Sequence, residues 1–341
     1  VIGAAFFPWL IYYFRKGKWV QTVCCFVALL GSKENMAIWA GFIALTFPFI
    51  AVVRNKKVYL FSLILFVSAL LYYLLAAFYI MPALADGEGF LQLQRYSHLG
   101  GSFSEIISHL FHHPYDTFSL FWKSHVQPDT EEIIKREFWK VFLVSGGIAL
   151  FFKPQFLWMA MPLLMQKLWN KESAFWGISY HYQIELAMVI SVALWFWLKD
   201  ITKVHYRLIL IVFVVLCTIG ISVRKFNERY ASYQPIKENI LSAAHYMPDV
   251  DGVKVRTKLH EIPANAAVCA QANLMPHLAF RDKLYHFPFL KDANYLIFLQ
   301  PGLNTYPLNE QEANKYLDSI RACANWTEDT SALPLHVLIK K

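Results

Sequence analysis

Ionisable residues are the scarcest class in this sequence. Asp, Glu, Lys and Arg make up 16% of its 341 residues and hydrophobic residues 57%, whereas a soluble domain carries about a quarter charged residues. Water is thereby excluded as the main solvent for most of the chain. Acids are scarcer than bases, 24 against 32, for a net charge of +8. Nucleic-acid binding would need those bases gathered on one face; they are dispersed between apolar runs instead, so no nucleic-acid partner is expected. P-loop, GxGxxG, GxSxG, HExxH and zinc-ribbon patterns are all lacking, which leaves soluble-type nucleotide chemistry without support and no cofactor evident. Internal repeats and low-complexity tracts are lacking too. Of five cysteines, Cys24, Cys25 and Cys217 fall in apolar runs as small buried hydrophobes. Cys269 and Cys323 could pair if their part of the chain faces an oxidising compartment. No signal peptide or initiator Met is present, and the chain opens inside VIGAAFFPWLIYYF. It is therefore expected to be a fragment or processed form lacking upstream segments.

What the sequence does have is a succession of apolar runs, at 1–14, 19–31, 36–53, 58–82, 138–152, 156–165, 184–198 and 206–223. A spanning helix needs about 20 apolar residues, which 58–82 exceeds and 36–53 and 206–223 approach; shorter runs span by recruiting flanking residues or stop in a protein-lined cavity. A continuous helix over 19–53 would be about 52 Å long, so the chain must turn at Ser32–Asn35. Lys153-Pro154-Gln155 splits 138–165 into two short helices, because proline disfavours helix at the residue before it. Ten basic residues, Arg15, Lys16, Lys18, Arg54, Lys56, Lys57, Lys153, Lys199, Lys203 and Arg207, occupy four alternate connections. The positive-inside rule makes that side cytoplasmic. Ser32–Asn35, the loops 83–137 and 166–183 and everything beyond Val223 are then expected on the opposite side. The expected fold is mainly α: a polytopic membrane helix bundle over 1–226, with outer loop 83–137, and a small extracytoplasmic α/β domain over 227–341. After an amphipathic stretch at 227–247, that domain should contain strands at Ala266–Ala270, Lys283–Phe287, Ala293–Leu299 and Leu335–Lys340. A helix should run over Asn309–Ala324 with Leu317 and Ile320 on one face.

Four constellations could carry chemistry. Lys33 and Glu34 sit between two apolar runs, where ionisable groups are a functional hypothesis by default; the same residues also describe a turn in which Ser32 caps the next helix. In the outer loop, Arg95 and His98 precede Gly100-Gly101, whose backbone amides could meet an anion. His109, His112 and His113 follow at helical spacing, and with Glu105 or Asp116 a divalent metal stays open, as does a plain interfacial helix face. In SYHYQIEL, Tyr180, His181 and Tyr182 read as an aromatic belt, while the i, i+4 spacing of His181 and Glu185 would put both on one helix face. In NLMPHLAFRDKLYHFP, Asn273, His277 and Arg281 recur every four residues. On a short helix they could clamp phosphate or carboxylate, or tie helix to strand.

In order, KEN, RYSHLG, KPQFLWMAMPLLMQKL, YHYQIEL and IPANAAVCAQANLMPHLAFRDKLYHFP resemble the prokaryotic membrane-protein family called domain of unknown function 2079, over nearly the whole chain. That family is grouped with the GT-C glycosyltransferases. The resemblance implies a multi-pass protein of the prokaryotic plasma (inner) membrane, a polyprenyl-phosphate sugar donor, membrane lipid as partner, and catalysis at the outer face. Lys33, Arg95 and Arg281 then become candidates for the phosphate side. His98, His181 and His277 would orient or bind the acceptor, and Glu34 and Glu185 complete the substrate-binding set. GT-C enzymes carry their catalytic carboxylate in the first outer loop. That loop is expected upstream of Val1, so no catalytic residue is assigned. A lipid-linked substrate transporter or a non-catalytic envelope scaffold is the competing expectation.

Overall fold

The structure, a computed structural model, describes residues 2–84, 91–124, 128–178, 181–232, 243–247, 250–299 and 308–341. Parts of the loop 83–137, Tyr180 and residues 233–242 of the stretch 227–247 lie outside the described residues. The chain divides into two compact units, Val1–Ser232 and Tyr233–Lys341.

The first unit is helical. It comprises α1 (Ile2–Arg15), α2 (Trp19–Leu30), α3 (Met36–Ile50), α4 (Lys56–Leu75), α5 (Met81–Leu84), α6 (Phe103–His112), α7 (Pro114–Ser119), α8 (Pro128–Phe142), α9 (Ala149–Phe152), α10 (Pro154–Leu168), α11 (Ile184–Asp200) and α12 (Val204–Ser232). Among the described residues, three helical segments are long and apolar enough to cross a membrane: Lys56–Ala83, His181–Asp200 and Val204–Lys225. Trp19–Leu30 and Met36–Ile50 are apolar but shorter. Aromatic packing joins α1 to α3, with Phe14 stacked on Phe47 at 3.9 Å and Phe7 against Trp39 at 5.1 Å. Leu60, Leu63, Ile64 and Leu71 of α4 and Leu208, Ile209, Val212 and Leu216 of α12 stay exposed, as apolar faces suited to lipid.

Both expected breaks are present. The chain turns at 31–35, although Ser32 does not cap the following helix: its hydroxyl donates back to the Leu29 carbonyl at 2.7 Å, closing α2. Pro154 opens α10 in its first turn, where its missing N–H costs nothing. The 138–152 run differs from expectation. It is the end of α8, a wider π turn at Leu143–Gly147, and α9. Gly146 has φ of +101°, and a Cβ on Gly147 would lie 2.4 Å from the Phe142 carbonyl. Side chains are sterically barred at both positions, so the glycine pair interrupts the helix.

The helices alternate in direction. Arg15 packs on Phe196 near the end of α11, Lys153 pairs with Asp200, and Val52, just past α3, lines the same groove as Arg15. The basic connections thus meet at one end of the unit. At the other end Gly3 approaches Ser32 and Met36, and Lys171 donates its amide to the Arg95 carbonyl at 3.0 Å.

The second unit is α/β. Among the described residues its sheet has five strands in the order β2-β1-β3-β5-β4, with β1 (Val268–Ala270), β2 (Leu284–His286), β3 (Tyr295–Leu299), β4 (Trp326–Asp329) and β5 (Leu335–Lys340). β1 is parallel to β2 and β3, while β5 runs antiparallel to β3 and β4. Side chains alternate across a strand, and the two faces are covered differently. Val268, Ala270, Ile297 and Val337 pack with Val255 and Leu259 of α13 (Gly252–His260). Cys269, Leu296, Phe298 and Leu338 pack with Leu317 and Ile320 of α14 (Glu310–Arg321). Asn309 and Glu312 form a capping box that fixes where α14 starts. The four expected strands and α14 are present; α13 and β4 were not expected, because their short, polar-rich segments carry little periodic signal.

Cys269 and Cys323 are both free thiols. Cys269 is buried between sheet and helix, and burial pushes its pKa up to about 12, whereas Cys323 is exposed. A membrane-permeant maleimide applied to the native chain at neutral pH should modify Cys323 and spare Cys269 until denaturant is added. Peptide mass mapping that finds a Cys269–Cys323 bridge, or equal labelling, would refute this.

Three carboxylates of this unit, Asp292, Asp329 and Glu328, are held below their ordinary range. The Lys283 ammonium, 2.6 Å away, and the Tyr285 hydroxyl bring Asp292 to about 2. Lys258 at 2.7 Å lowers Asp329 further, and the Arg321 guanidinium lowers Glu328. A depressed folded-state pKa contributes stability that is present above the unfolded value and is lost as pH falls through the folded one. Calorimetry of the detergent-solubilised chain should therefore show the unit's melting temperature unchanged between pH 7 and about 5 and falling from there towards about 2. A melting temperature flat across that acid range would contradict the assignment.

Candidate functional site

The end of the helical unit opposite the basic connections gathers polar groups from distant parts of the chain. Lys167 in the last turn of α10 meets Glu185 in the first turn of α11, Nζ to Oε2 3.4 Å, with side chains only 8% and 13% exposed. Lys33, exposed on the 31–35 turn, is close enough to Lys167 for the two charges to interact. Glu34 interacts in the same way with Tyr73 of α4, and Tyr73 with Tyr96. Arg95 lies at the end of a 3₁₀ turn over Leu91–Tyr96. Its guanidinium contacts Glu172 at 3.4 Å and stacks on Phe175 at 4.6 Å. Tyr96 donates its hydroxyl to the Gln166 carbonyl at 2.7 Å, tying this turn to α10.

Next to these groups is a cleft of about 290 Å³ lined by Asn35, Trp39, Phe42, Tyr73, Tyr96 and Trp169, among others, and mostly apolar. Trp39 is 1% exposed and Trp169 8%. Among the described residues, neither indole Nε1–H nor Asn35 Oδ1 has a hydrogen-bond partner, although all three atoms are buried. Three orphaned polar atoms around one cleft exceed what a packed core normally tolerates.

The expected residues are distributed unevenly. Lys33, Glu34, Arg95 and Glu185 come together at this end. His98 is half-buried just before Leu99, a residue that also lines the cleft. His181 and Glu185 do not share an α-helical face: His181 sits in a 3₁₀ turn, His181–Gln183, ahead of α11, exposed and 4.5 Å from the Tyr182 ring. The Gly100-Gly101 turn does meet an anion, and it is the chain's own. The Gly101 amide donates to Glu105 at 2.8 Å and, as the leading cause, holds that carboxyl below its usual range. His109 bonds Thr117 at 3.0 Å and His112 bonds Ser108. Among the described residues, no group of three His, Cys, Asp or Glu could hold a metal ion.

His277 and Arg281 belong to the second unit and are described there alone. The expected helix over 273–281 is only a 3₁₀ turn, Met275–Leu278, with Pro276 near its start. Proline permits the first turn and blocks a longer helix, so the four-residue spacing has no helical meaning here. Arg281 donates to the carbonyls of Ile262 (2.8 Å) and Pro263, tying the segment after α13 to the sheet. His277, Arg256 and His260 share with it a surface cleft of about 330 Å³.

The helical unit with its polar end, and the second unit as far as Ala324, fall within a single family match. The family is described as predicted membrane protein (DUF2079), and its model covers residues 2–324. The chain belongs to this family. No curated protein and no solved structure matches it. Sequence reasoning missed Lys167, although a lysine closing the apolar stretch QFLWMAMPLLMQ is the signal to look for, since an intramembrane ionisable group requires a partner. Trp39 and Trp169 carried no such signal, because nothing local distinguishes an orphaned tryptophan from a packed one, and Tyr96 carried none because its partner Gln166 is 70 residues away.

Proposed function

We propose that this DUF2079 member binds a polyprenyl-phosphate sugar at the polar end of its helical unit and transfers the glycosyl group to an acceptor, as its resemblance to GT-C enzymes implies. The observation that carries the reading is the apolar cleft lined by Trp39, Phe42 and Trp169 beside the Lys167–Glu185 pair and Lys33. A prenyl tail needs such walls, and a phosphate needs cations at their margin. In the transfer the acceptor oxygen attacks the anomeric carbon, the bond from that carbon to the phosphate oxygen breaks, and a carboxylate takes the acceptor proton. Glu172 and Glu185 are engaged by Arg95 and Lys167, so neither is assigned as that base. Lys33 and Arg95 remain the phosphate-side candidates at this end and His98 and His181 the acceptor-side ones. Arg281 and His277 keep those proposed roles on the second unit. The reading places the polar end and the second unit outside the plasma membrane.

The test is photolabelling of the full chain in vesicles with a diazirine-bearing polyprenyl phosphate, followed by a transfer assay with a radiolabelled polyprenyl-phosphate hexose. Labelled peptides spanning 35–42 or 162–169, competed by unlabelled polyprenyl phosphate, together with release of the lipid phosphate, are expected. Labelling without transfer would favour a transporter or scaffold, and absence of competable labelling would remove the lipid site altogether.

A further inference from the structure

A second groove lies at the opposite end of the helical unit, between α1 and α11. It has a volume of about 620 Å³ and is lined by Pro8, Ile11, Met188 and Val192 along its length, with Arg15 and Lys199 at its mouth. The groove shares no lining residue with the cleft of the proposed function, and its cationic mouth at Lys199 lies about 21 Å along α11 from Glu185. Among the described residues, three cations line it, Arg15, Lys16 and Lys199, and no acid does. The nearby Asp200 is engaged by Lys153.

The three cations sit against aromatic rings rather than carboxylates. Arg15 Cζ lies 4.6 Å from the Phe196 ring and 5.9 Å from Trp195, Lys199 Nζ 4.2 Å from Trp195, and Lys16 Nζ 6.0 Å from Tyr12. Cation–π contacts hold such groups in place without neutralising them. Arg15 Nε is buried and has no hydrogen-bond acceptor among the described residues. A buried guanidinium donor beside two further unneutralised cations calls for an anion, and the apolar track from Pro8 to Lys16, about 12 Å on the helical rise, calls for a hydrocarbon chain. Basic pockets between membrane helices on the cytoplasmic side bind anionic headgroups, and the basic connections that meet at this end, with Arg15, Lys16, Lys153 and Lys199, mark it as that side.

We infer that the α1–α11 groove is a binding site for an anionic diacyl phospholipid, whose phosphate is held by Arg15, Lys16 and Lys199 and whose acyl chain lies along Pro8, Ile11, Met188 and Val192. The site is separate from any donor site and binds a lipid of the host bilayer rather than a reactant.

The test uses the full chain in vesicles of equal phosphatidylglycerol and phosphatidylcholine, extracted in mild detergent and examined by native mass spectrometry. The wild-type chain should retain phosphatidylglycerol in preference. Retention should drop about tenfold or more in R15Q/K199Q and be lost in S191W, which fills the acyl track from an exposed position. K16Q/K199Q, which alters only exposed side chains, gives the same reading should R15Q/K199Q not fold. Equal retention of both lipids by the wild type, or unchanged preference in the charge variants, would overturn the site. So would retention by S191W together with displacement by excess inorganic phosphate, which would mark a plain anion site.

Discussion

Replacing Lys135 with methionine should lower the unfolding free energy of the helical unit by about 3–5 kcal/mol, because three backbone carbonyls lose their donor. Lys135 is completely buried on α8. Its ammonium donates to three backbone carbonyls, Leu120 at 2.6 Å, Lys123 at 2.8 Å and Leu168 at 2.9 Å, and lies 4.2 Å from the Trp176 ring. Leu168 is the last residue of α10, where the helix dipole favours a cation. Methionine matches the length of the stem, yet it leaves these carbonyls without their donor, at about 1–3 kcal/mol for each that stays unsatisfied. The consequence is also local to the site, because Trp169, Glu172 and Phe175 follow directly on the Leu168 carbonyl. K135M should melt well below wild type in detergent and should loosen the Arg95–Glu172 contact, which faster proteolysis of the 91–124 segment would report. Melting within about 1 kcal/mol of wild type would show that the carbonyls find other partners.

The second large effect is expected at Lys167 and Glu185. Removing one member of a buried ion pair strands the other charge, typically at about 3–5 kcal/mol, whereas replacing both by apolar groups is often neutral. K167M and E185L should each be strongly destabilised, and K167M/E185L should recover most of the loss, a coupling measurable by a double-mutant cycle. If the pair also holds substrate, as proposed, the double variant will regain stability and still fail in competable photolabelling by polyprenyl phosphate. A double variant that binds lipid phosphate normally would reduce the pair to a structural tie. Double-variant stability no better than that of the singles would mean that the charges have separate partners.

These two predictions also mark how far the sequence could be read. The turn at 31–35 and the break at Lys153-Pro154 were legible because excess helix length and proline chemistry act on adjacent residues. The strands around Val268, Leu284, Tyr295 and Leu335 were legible because each presents a short apolar run, and α14 because Leu317 and Ile320 repeat on one face. The His181–Glu185 face and the 273–281 helix were misread for one reason: a four-residue spacing has meaning only inside an α-helix, and a 3₁₀ turn stands at each place. At Gly100-Gly101 the sequence indicated an anion-binding turn but not that Glu105, four residues on, would occupy it.

By itself the sequence determined the solvent of this protein, the placing of its basic residues in alternate connections and the α/β character of its second unit. Each of these rests on composition, charge placement or periodicity within one segment. Only the tertiary structure decided which polar groups work together. Lys167 reaches Glu185 across 18 residues, Lys135 reaches Leu168 across 33 and Tyr96 reaches Gln166 across 70. A scarce charge in an apolar medium must find a partner, but the helix packing chooses the partner, and adjacent residues do not encode that choice.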